Sequence, residues 1–333
     1  VKQYGAVGDG VTDDTTAVNN TITACFNAGG GTVYLPEGTY LCNGSLQTSN
    51  GYNAVIPLPY VAPTFPLSTN PIKITFKGCN APPKPYGYYI DFSNNPTSGV
   101  SIITSNTVGS GTNPALIGGP TNTDGTVMSV IFVSFEDLII RQNQSNGLIG
   151  LQLGGITGVE VKRCNVDVVL PSNATAIPQP TNTHLIGVVM PQFNNSGLSL
   201  MEDCFIQGQY NAIWDNEMTT LRRCILQNNY GGIVCFGGNH TRNYQHVIFL
   251  ENKIPIYAAG DSNNGGKVFV TGDINIEDAM SGYWQVNTAH IYDPTNLLRG
   301  KMNIHRTVSG SGSTSSPLTI NGGSNISSNI FVY

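Results

Sequence analysis

Trp214-Asp215-Asn216-Glu217 sets two carboxylates two residues apart beside a large aromatic ring. Glycosidic hydrolysis uses such a pair, about 5–5.5 Å apart when configuration is retained and about 6.5–9.5 Å apart when it is inverted. In that chemistry Asp215 is the general base and Glu217 the general acid, the latter needing a raised pKa. Glu202 is a third candidate catalytic carboxylate, with Asp203 and Asp167 as further acidic neighbours. Trp214, Phe236 and Tyr257 are candidate platforms for the apolar faces of sugar rings. His240 and Arg242 are candidates to contact an acidic sugar. Each has a second, structural reading. The aromatics also suit a buried or subunit-facing row, the carboxylates a hydrogen-bonded turn, and the two basic residues a solvated loop. If Ile213 faces inward, strict alternation turns Asp215 inward with it unless the strand bends.

Repeats decide what holds these residues. Val161-Lys162-Arg163-Cys164-Asn165-Val166, Leu200-Met201-Glu202-Asp203-Cys204-Phe205-Ile206 and Thr220-Leu221-Arg222-Arg223-Cys224-Ile225-Leu226 align with one another. Phe135-Glu136-Asp137-Leu138-Ile139 precedes them in the same frame and Val247-Ile248-Phe249-Leu250 follows. The anchors Leu138, Cys164, Cys204, Cys224 and Ile248 are 26, 40, 20 and 24 residues apart. A second strand set follows about ten residues after each anchor: Ala212-Ile213-Trp214, Gly232-Ile233-Val234 and Pro255-Ile256-Tyr257. Val188-Val189-Met190 joins it, displaced by the Pro/Asn-rich insertion at 171–183. Periods of this size mean solenoids or arrays, and strand-rich repeats make the solenoid a β-helix of about ten coils. Stacking puts Cys164, Cys204 and Cys224 in one internal column of buried thiols. It puts Asn228 and Asn252 in an asparagine ladder at a turn. Trp214, Val234 and Tyr257 fall in one outward column, with Phe236 two residues beyond Val234.

The first forty residues carry the sharpest local pattern. Tyr4-Gly5-Ala6-Val7-Gly8-Asp9-Gly10-Val11-Thr12-Asp13-Asp14-Thr15 leads into an apolar face at Ala17, Val18, Ile22, Cys25 and Phe26. Thr12 to Asp14 offer N-cap oxygens for a helix over 13–27, and the glycines at 29–31 stop it. Thr32–Leu35 then reads as a strand, with Pro36-Glu37-Gly38 as a turn. Segment 4–41 resembles the opening of the pectin lyase-like superfamily, a short helix capping a right-handed parallel β-helix. The resemblance, confined to about the first forty residues, implies that fold; with the repeats the expectation is a β-helix over 1–308, and the Ser/Gly-rich composition after it reads as a linker and terminal strand at 309–333. Members include polygalacturonases, lyases, exo-glucanases and phage tailspikes, so it leaves the chemistry open. Asn122-Thr123-Asp124-Gly125 spells the first polygalacturonase motif, but the family's later motifs do not follow in order. Nor does an acidic cluster of the kind with which pectate lyases hold calcium.

Charged residues are 11% of the chain, against about 25% in ordinary soluble domains. Gly, Asn, Thr and Ser fill polar positions instead, which suits a turn-rich β protein with a surface fit for sugar hydroxyls. A net charge of −5 without a basic stripe argues against nucleic acid. No apolar run approaches the roughly 20 residues that span a bilayer. Seven cysteines without metal-type spacing leave redox compartment open. No metal and no cofactor is expected, and the Val1 start reads as a trimmed or processed chain. The leading expectation is a phage tailspike-like protein, a homotrimer that binds and hydrolyses a bacterial capsule or O-antigen polysaccharide, on the virion or outside the cell. The alternatives are a secreted microbial or fungal glycoside hydrolase or lyase acting on plant or algal polysaccharide, and a non-catalytic adhesin or virion structural protein.

Overall fold

The computed structural model describes residues 1–48, 53–62, 72–81, 98–120, 129–143, 145–169, 182–191, 199–216, 218–235, 241–250, 252, 254–258, 268–279, 290–292, 298–299, 302–309, 319–321 and 330–332. Each turn of the chain contributes a strand to each of three parallel sheets. Sheet A runs through Gly30–Tyr34, Ile72–Lys77, Ser129–Glu136, Ile156–Lys162, Ser199–Glu202, Thr219–Arg222 and the first half of Thr241–Leu250. Sheet B runs through Gly38–Leu41, Ser101–Thr104, Ile139–Asn143, Asn165–Val169, Phe205–Gln207 and Ile225–Gln227. Among the described residues sheet C runs through nine strands, from Ala54–Pro57 to Thr319–Asn321. The chain is a right-handed parallel β-helix, with nine stacked strands in sheet C among the described residues. Among the described residues no helix is long and apolar enough to cross a membrane.

The coil interior is a set of columns. Phe76 and Phe135 are register partners whose rings stack at 4.8 Å and 17°, the rise of one strand over the next. Val161, Met201, Leu221 and Tyr244 continue that column. Cys164, Cys204 and Cys224 are free, buried thiols on consecutive coils. The next member is Val247, one residue before the expected anchor Ile248, because Ile225 pairs with Ile248. Likewise Val189 pairs with Trp214, so the displaced triplet is Gly187-Val188-Val189. In both places the loop between coils changes length, and spacing by itself cannot show on which side of a turn the extra residue sits.

The helix covers one end. It spans Thr15–Asn27, two residues shorter than expected at its start, because Asp13 and Asp14 are used as acceptors. Asp13 Oδ1 accepts from Thr15 N at 3.0 Å, and the Asp14 carboxylate accepts from Val7 N and Gly8 N at 2.6 and 2.9 Å. Val18 and Ile22 then join the main core from above, so the first coil does not present an open apolar end. Gly30 is required below the helix, since a Cβ there would lie 2.7 Å from Lys73 O.

Two turns set the stacking. Between sheets A and B a single left-handed residue makes each corner, with Asp137, Arg163, Asp203, Arg223 and His246 all at φ 51–55°. These sites and the outward residues before them alternate in sign from coil to coil: Lys77, Glu136, Lys162, Glu202, Arg222 in one column and Asp137, Arg163, Asp203, Arg223 in the other. Arg163 Nε lies 2.7 Å from Asp137 Oδ1, and Arg223 Nε lies 2.7 Å from Asp203 Oδ1. Between sheets B and C an amide ladder forms, one residue beyond the Asn228 expected. Asn229 Oδ1 accepts from Gln209 N at 2.9 Å, and Asn229 Nδ2 donates to Asn252 Oδ1 at 2.9 Å. Asn228 occupies the left-handed corner at φ 53°.

Three outcomes follow from these ladders. Asn229→Ala orphans buried amide partners and lowers stability by about 1–3 kcal/mol; hydrogen exchange will show it as lost protection of the Gln209 amide. Glu202→Lys puts a cation between Lys162 and Arg222, and the melting temperature falls by a few degrees in low salt. In 1 M salt, where screening acts within about 3 Å, most of that loss disappears; equal melting at both salts would refute the charge ladder as the cause. The Arg223 guanidinium bonded to Asp203 holds that carboxyl below its ordinary range. A depressed carboxyl stabilises above its unfolded pKa of about 3.9 and loses that contribution as pH falls through the folded value. Wild type but not Asp203→Asn therefore loses this increment below about pH 4 in acid melts.

Candidate functional site

The outward column of sheet C has the expected register. Trp214 pairs with Val234 and Val234 with Tyr257. Trp214 and Tyr257 are half-buried and Val234 is 6% exposed. Trp214 packs against a separate apolar cluster of Ala54, Ala115, Ile149, Ile186 and Val189, distinct from the main core. That packing steadies the indole from one side. At the start of the same strands Tyr210 and Tyr230 stack at 4.9 Å and 8°. Sequence reading passed over this pair, although the repeats Gln209-Tyr210-Asn211 and Asn229-Tyr230-Gly231 carry it. Successive coils lie about 4.8 Å apart, so Trp214 and Tyr257 are two strand spacings apart along the helix axis.

The carboxylates are placed otherwise. Asp215 follows outward-facing Trp214 and turns into the coil, at 0% exposure, as alternation requires. Its register partner is the core residue Cys235. Tyr244 Oη donates to Asp215 Oδ2, and Arg242 Nε lies 3.5 Å from the same oxygen. Arg242 is also at 0% exposure, and its Nη2 donates to the carbonyls of Asp215, at 3.4 Å, and Asn216. Both expectations are thereby corrected: Asp215 cannot serve as a solvent-facing base, and Arg242 cannot reach a sugar from inside the wall. Burial pushes the Tyr244 hydroxyl well above its usual range, and the negative charge of Asp215 adds to it. Burial also pushes the Cys235 thiol up to about 12. Tyr244 escaped notice because nothing in its local sequence marks it as facing a carboxylate 29 residues away.

Glu202 lies on a different sheet from the Trp214 column. It stands on sheet A at the corner into sheet B, where Arg222 and Arg223 both bond it, and it is a rung of the charge ladder. Asp203 is the adjacent rung. Asp167 is buried on sheet B, where Arg141 grips it bidentately at 2.9 and 3.0 Å. Glu217, Phe236 and His240 lie outside the described residues, as does Asn122–Gly125. Among the described residues no group of three or more His, Cys, Asp or Glu is arranged to hold a metal. The described surface of these strands offers the half-buried rings of Trp214 and Tyr257, while Asp215, next in sequence to Trp214, faces the interior.

Residues 1–56 match the family model described as rhamnogalacturonase A/epimerase, pectate lyase-like. The mannuronan C5-epimerase AlgE5 of Azotobacter vinelandii is 55% identical over 51 residues, which are 15% of this chain and 5% of that protein. The plasmin and fibronectin-binding protein A of Streptococcus pneumoniae is 60% identical over 42 residues, 12% of this chain and 6% of that protein. The matches thus span a small fraction of those relatives. Among solved structures, the A-module of Azotobacter vinelandii mannuronan C-5 epimerase AlgE6 aligns with 99% of this chain and 95% of its own, at 15% identity and TM-score 0.42. ORF18 of Geobacillus virus E2 aligns with 99% of this chain and 60% of its own, at 13% identity and TM-score 0.38. The family match falls on the capping helix and first coil, well before Trp214 in the chain. The chain is a parallel β-helix whose cap and first coil, within residues 1–56, match the rhamnogalacturonase A/epimerase, pectate lyase-like family model.

Proposed function

We propose that this chain is a polysaccharide-binding β-helix of the phage tailspike kind, which lays an extended glycan along the outer flank of sheet C. One observation carries the proposal: Trp214, Val234 and Tyr257 stand in register on three successive coils. A polymer of sugar rings repeats along its length, and so does a stacked-coil surface, so an aromatic column along the helix axis meets ring after ring. The low charge of the chain, 11%, keeps competing ionic contacts few. Tailspike-like action adds cleavage of a bacterial capsule or O-antigen glycan, a homotrimeric assembly, and a place on the virion or outside the cell. For cleavage, Glu217 is the carboxylate assigned to protonate the leaving oxygen, since it follows Trp214 by three residues. The names of the curated relatives, epimerases and a lyase acting on mannuronan or alginate, add uronans to the substrates worth testing.

A second proposal is binding without cleavage, as in an adhesin. It is favoured by the burial of Asp215, the described carboxylate nearest the aromatic column.

Calorimetric titration with capsule, O-antigen and alginate oligosaccharides tests binding, and size-exclusion of the incubated polysaccharide tests cleavage. Trp214→Ala and Tyr257→Ala each weaken the glycan that binds by about tenfold, the loss of one aromatic contact of about 1–1.5 kcal/mol. Glu217→Gln stops product release while binding persists. Wild-type affinity in both aromatic variants would remove the flank as the binding surface. Binding with no product from any glycan would leave the adhesin reading standing.

A further inference from the structure

We infer that the buried Arg242–Asp215 pair is a positioning device, which from inside the coil fixes the turn that aims Trp214 outward. The inference rests on the glycan-binding reading of the sheet C flank, and the geometry behind it is independent of that reading.

Charge is out of place at this level. Asp215 pairs in register with Cys235, and Met190 N donates to Trp214 O from the coil above; both neighbours belong to the main core. Replacing a buried ion pair by apolar residues of similar volume is often neutral for stability, so stability alone gives little reason for one here. What the pair does supply is directional. Arg242 stands at the start of its sheet A strand, at the corner where the sheet C strand of the preceding coil ends. There its Nη2 donates to two successive backbone carbonyls, those of Asp215 and Asn216. Backbone acceptors leaving a sheet inside a packed core must find donors, and a planar guanidinium serves two at once. The Asp215 carboxylate faces Arg242 Nε and accepts from Tyr244 Oη. Asn216 Nδ2 donates to Met190 O at 2.7 Å, which ties the same turn to the coil above. The backbone leaving Trp214 is therefore held at two consecutive residues and from two neighbouring coils. A side chain whose own backbone is so held has its direction set before any ligand arrives. Arg242 and Asp215 act through Trp214 and touch no glycan.

The chain has two tryptophans, so a Trp284→Phe background isolates Trp214 fluorescence. In that background the double variant Asp215→Leu, Arg242→Met removes both charges together. It is expected to melt cooperatively within a few degrees of its parent. Acrylamide quenching of Trp214 should rise at least twofold and glycan affinity should fall about tenfold. Asp215→Asn, which keeps an oxygen for Tyr244, should restore most of the quenching protection that Asp215→Leu loses. If the double variant does not fold, Arg242→Lys reads the same property: it keeps a cation and loses the two-carbonyl fork, and quenching should again rise. A folded double variant, or Arg242→Lys, with parental Trp214 quenching would overturn the positioning role. Increased quenching in a protein whose parent binds no glycan would uphold the positioning role and sink the glycan reading instead.

Discussion

Parallel pairing in this fold is a constraint between residues about two dozen positions apart, and the rest of the structure depends on it. A strand in one coil bonds only to the strands directly above and below, so the side chain beneath each residue is chosen by register. Register in turn is held at the corners. A single left-handed residue between sheets A and B, at Asp137, Arg163, Asp203 and Arg223, fixes where one strand stops and the next begins. Alternating charge on those corners makes a slip by one coil unfavourable, because like charges would then face each other. The amide ladder Gln209–Asn229–Asn252 does the same between sheets B and C, with buried hydrogen bonds in place of charge.

The same constraint explains the handling of polar groups inside the wall. Every coil needs turns, and turns bring backbone carbonyls and amides into the interior. Asn229 and Asn252 satisfy some with their own carboxamides, donating to Ile206 O and Leu226 O. At the corner from sheet C to sheet A a guanidinium does the work, since Arg242 serves two carbonyls in succession. Core columns on either side remain apolar, as Phe76 over Phe135 shows. Among the described residues the Asn229–Asn252 ladder and Arg242 place their polar groups where the chain turns.

The family match and the proposed binding flank lie apart along the helix. The segment that places the chain among its relatives is the cap and first coil, whose job is to close the end of the stack. The aromatic column lies several coils away, where the relatives' match does not extend. A capping motif can therefore be shared among proteins of different chemistry, because covering an open sheet end poses the same physical problem whatever the flank binds.

Much of this architecture was legible in the residues alone. The cap, the β-helix, the thiol column and the alignment of Trp214, Val234 and Tyr257 follow from local patterns and repeat spacing, since identical positions in a solenoid stack. Three alignments differ by one residue, at Ile248 for Val247, at Val188–Met190 for Gly187–Val189 and at Asn228 for Asn229, because loop length between coils is not encoded in the strands themselves. Only the tertiary structure decided which way Asp215 faces and what meets it. Its inward turn follows from Trp214 facing out, but its partners Arg242 and Tyr244 sit on another sheet, 27 and 29 residues on. Glu202 was likewise drawn away by Arg222 and Arg223 on the next coil. Sequence determines which residues stack, because stacking is periodic; whether a carboxylate is solvent-facing or locked to a cation depends on what crosses the interior, and that is not periodic.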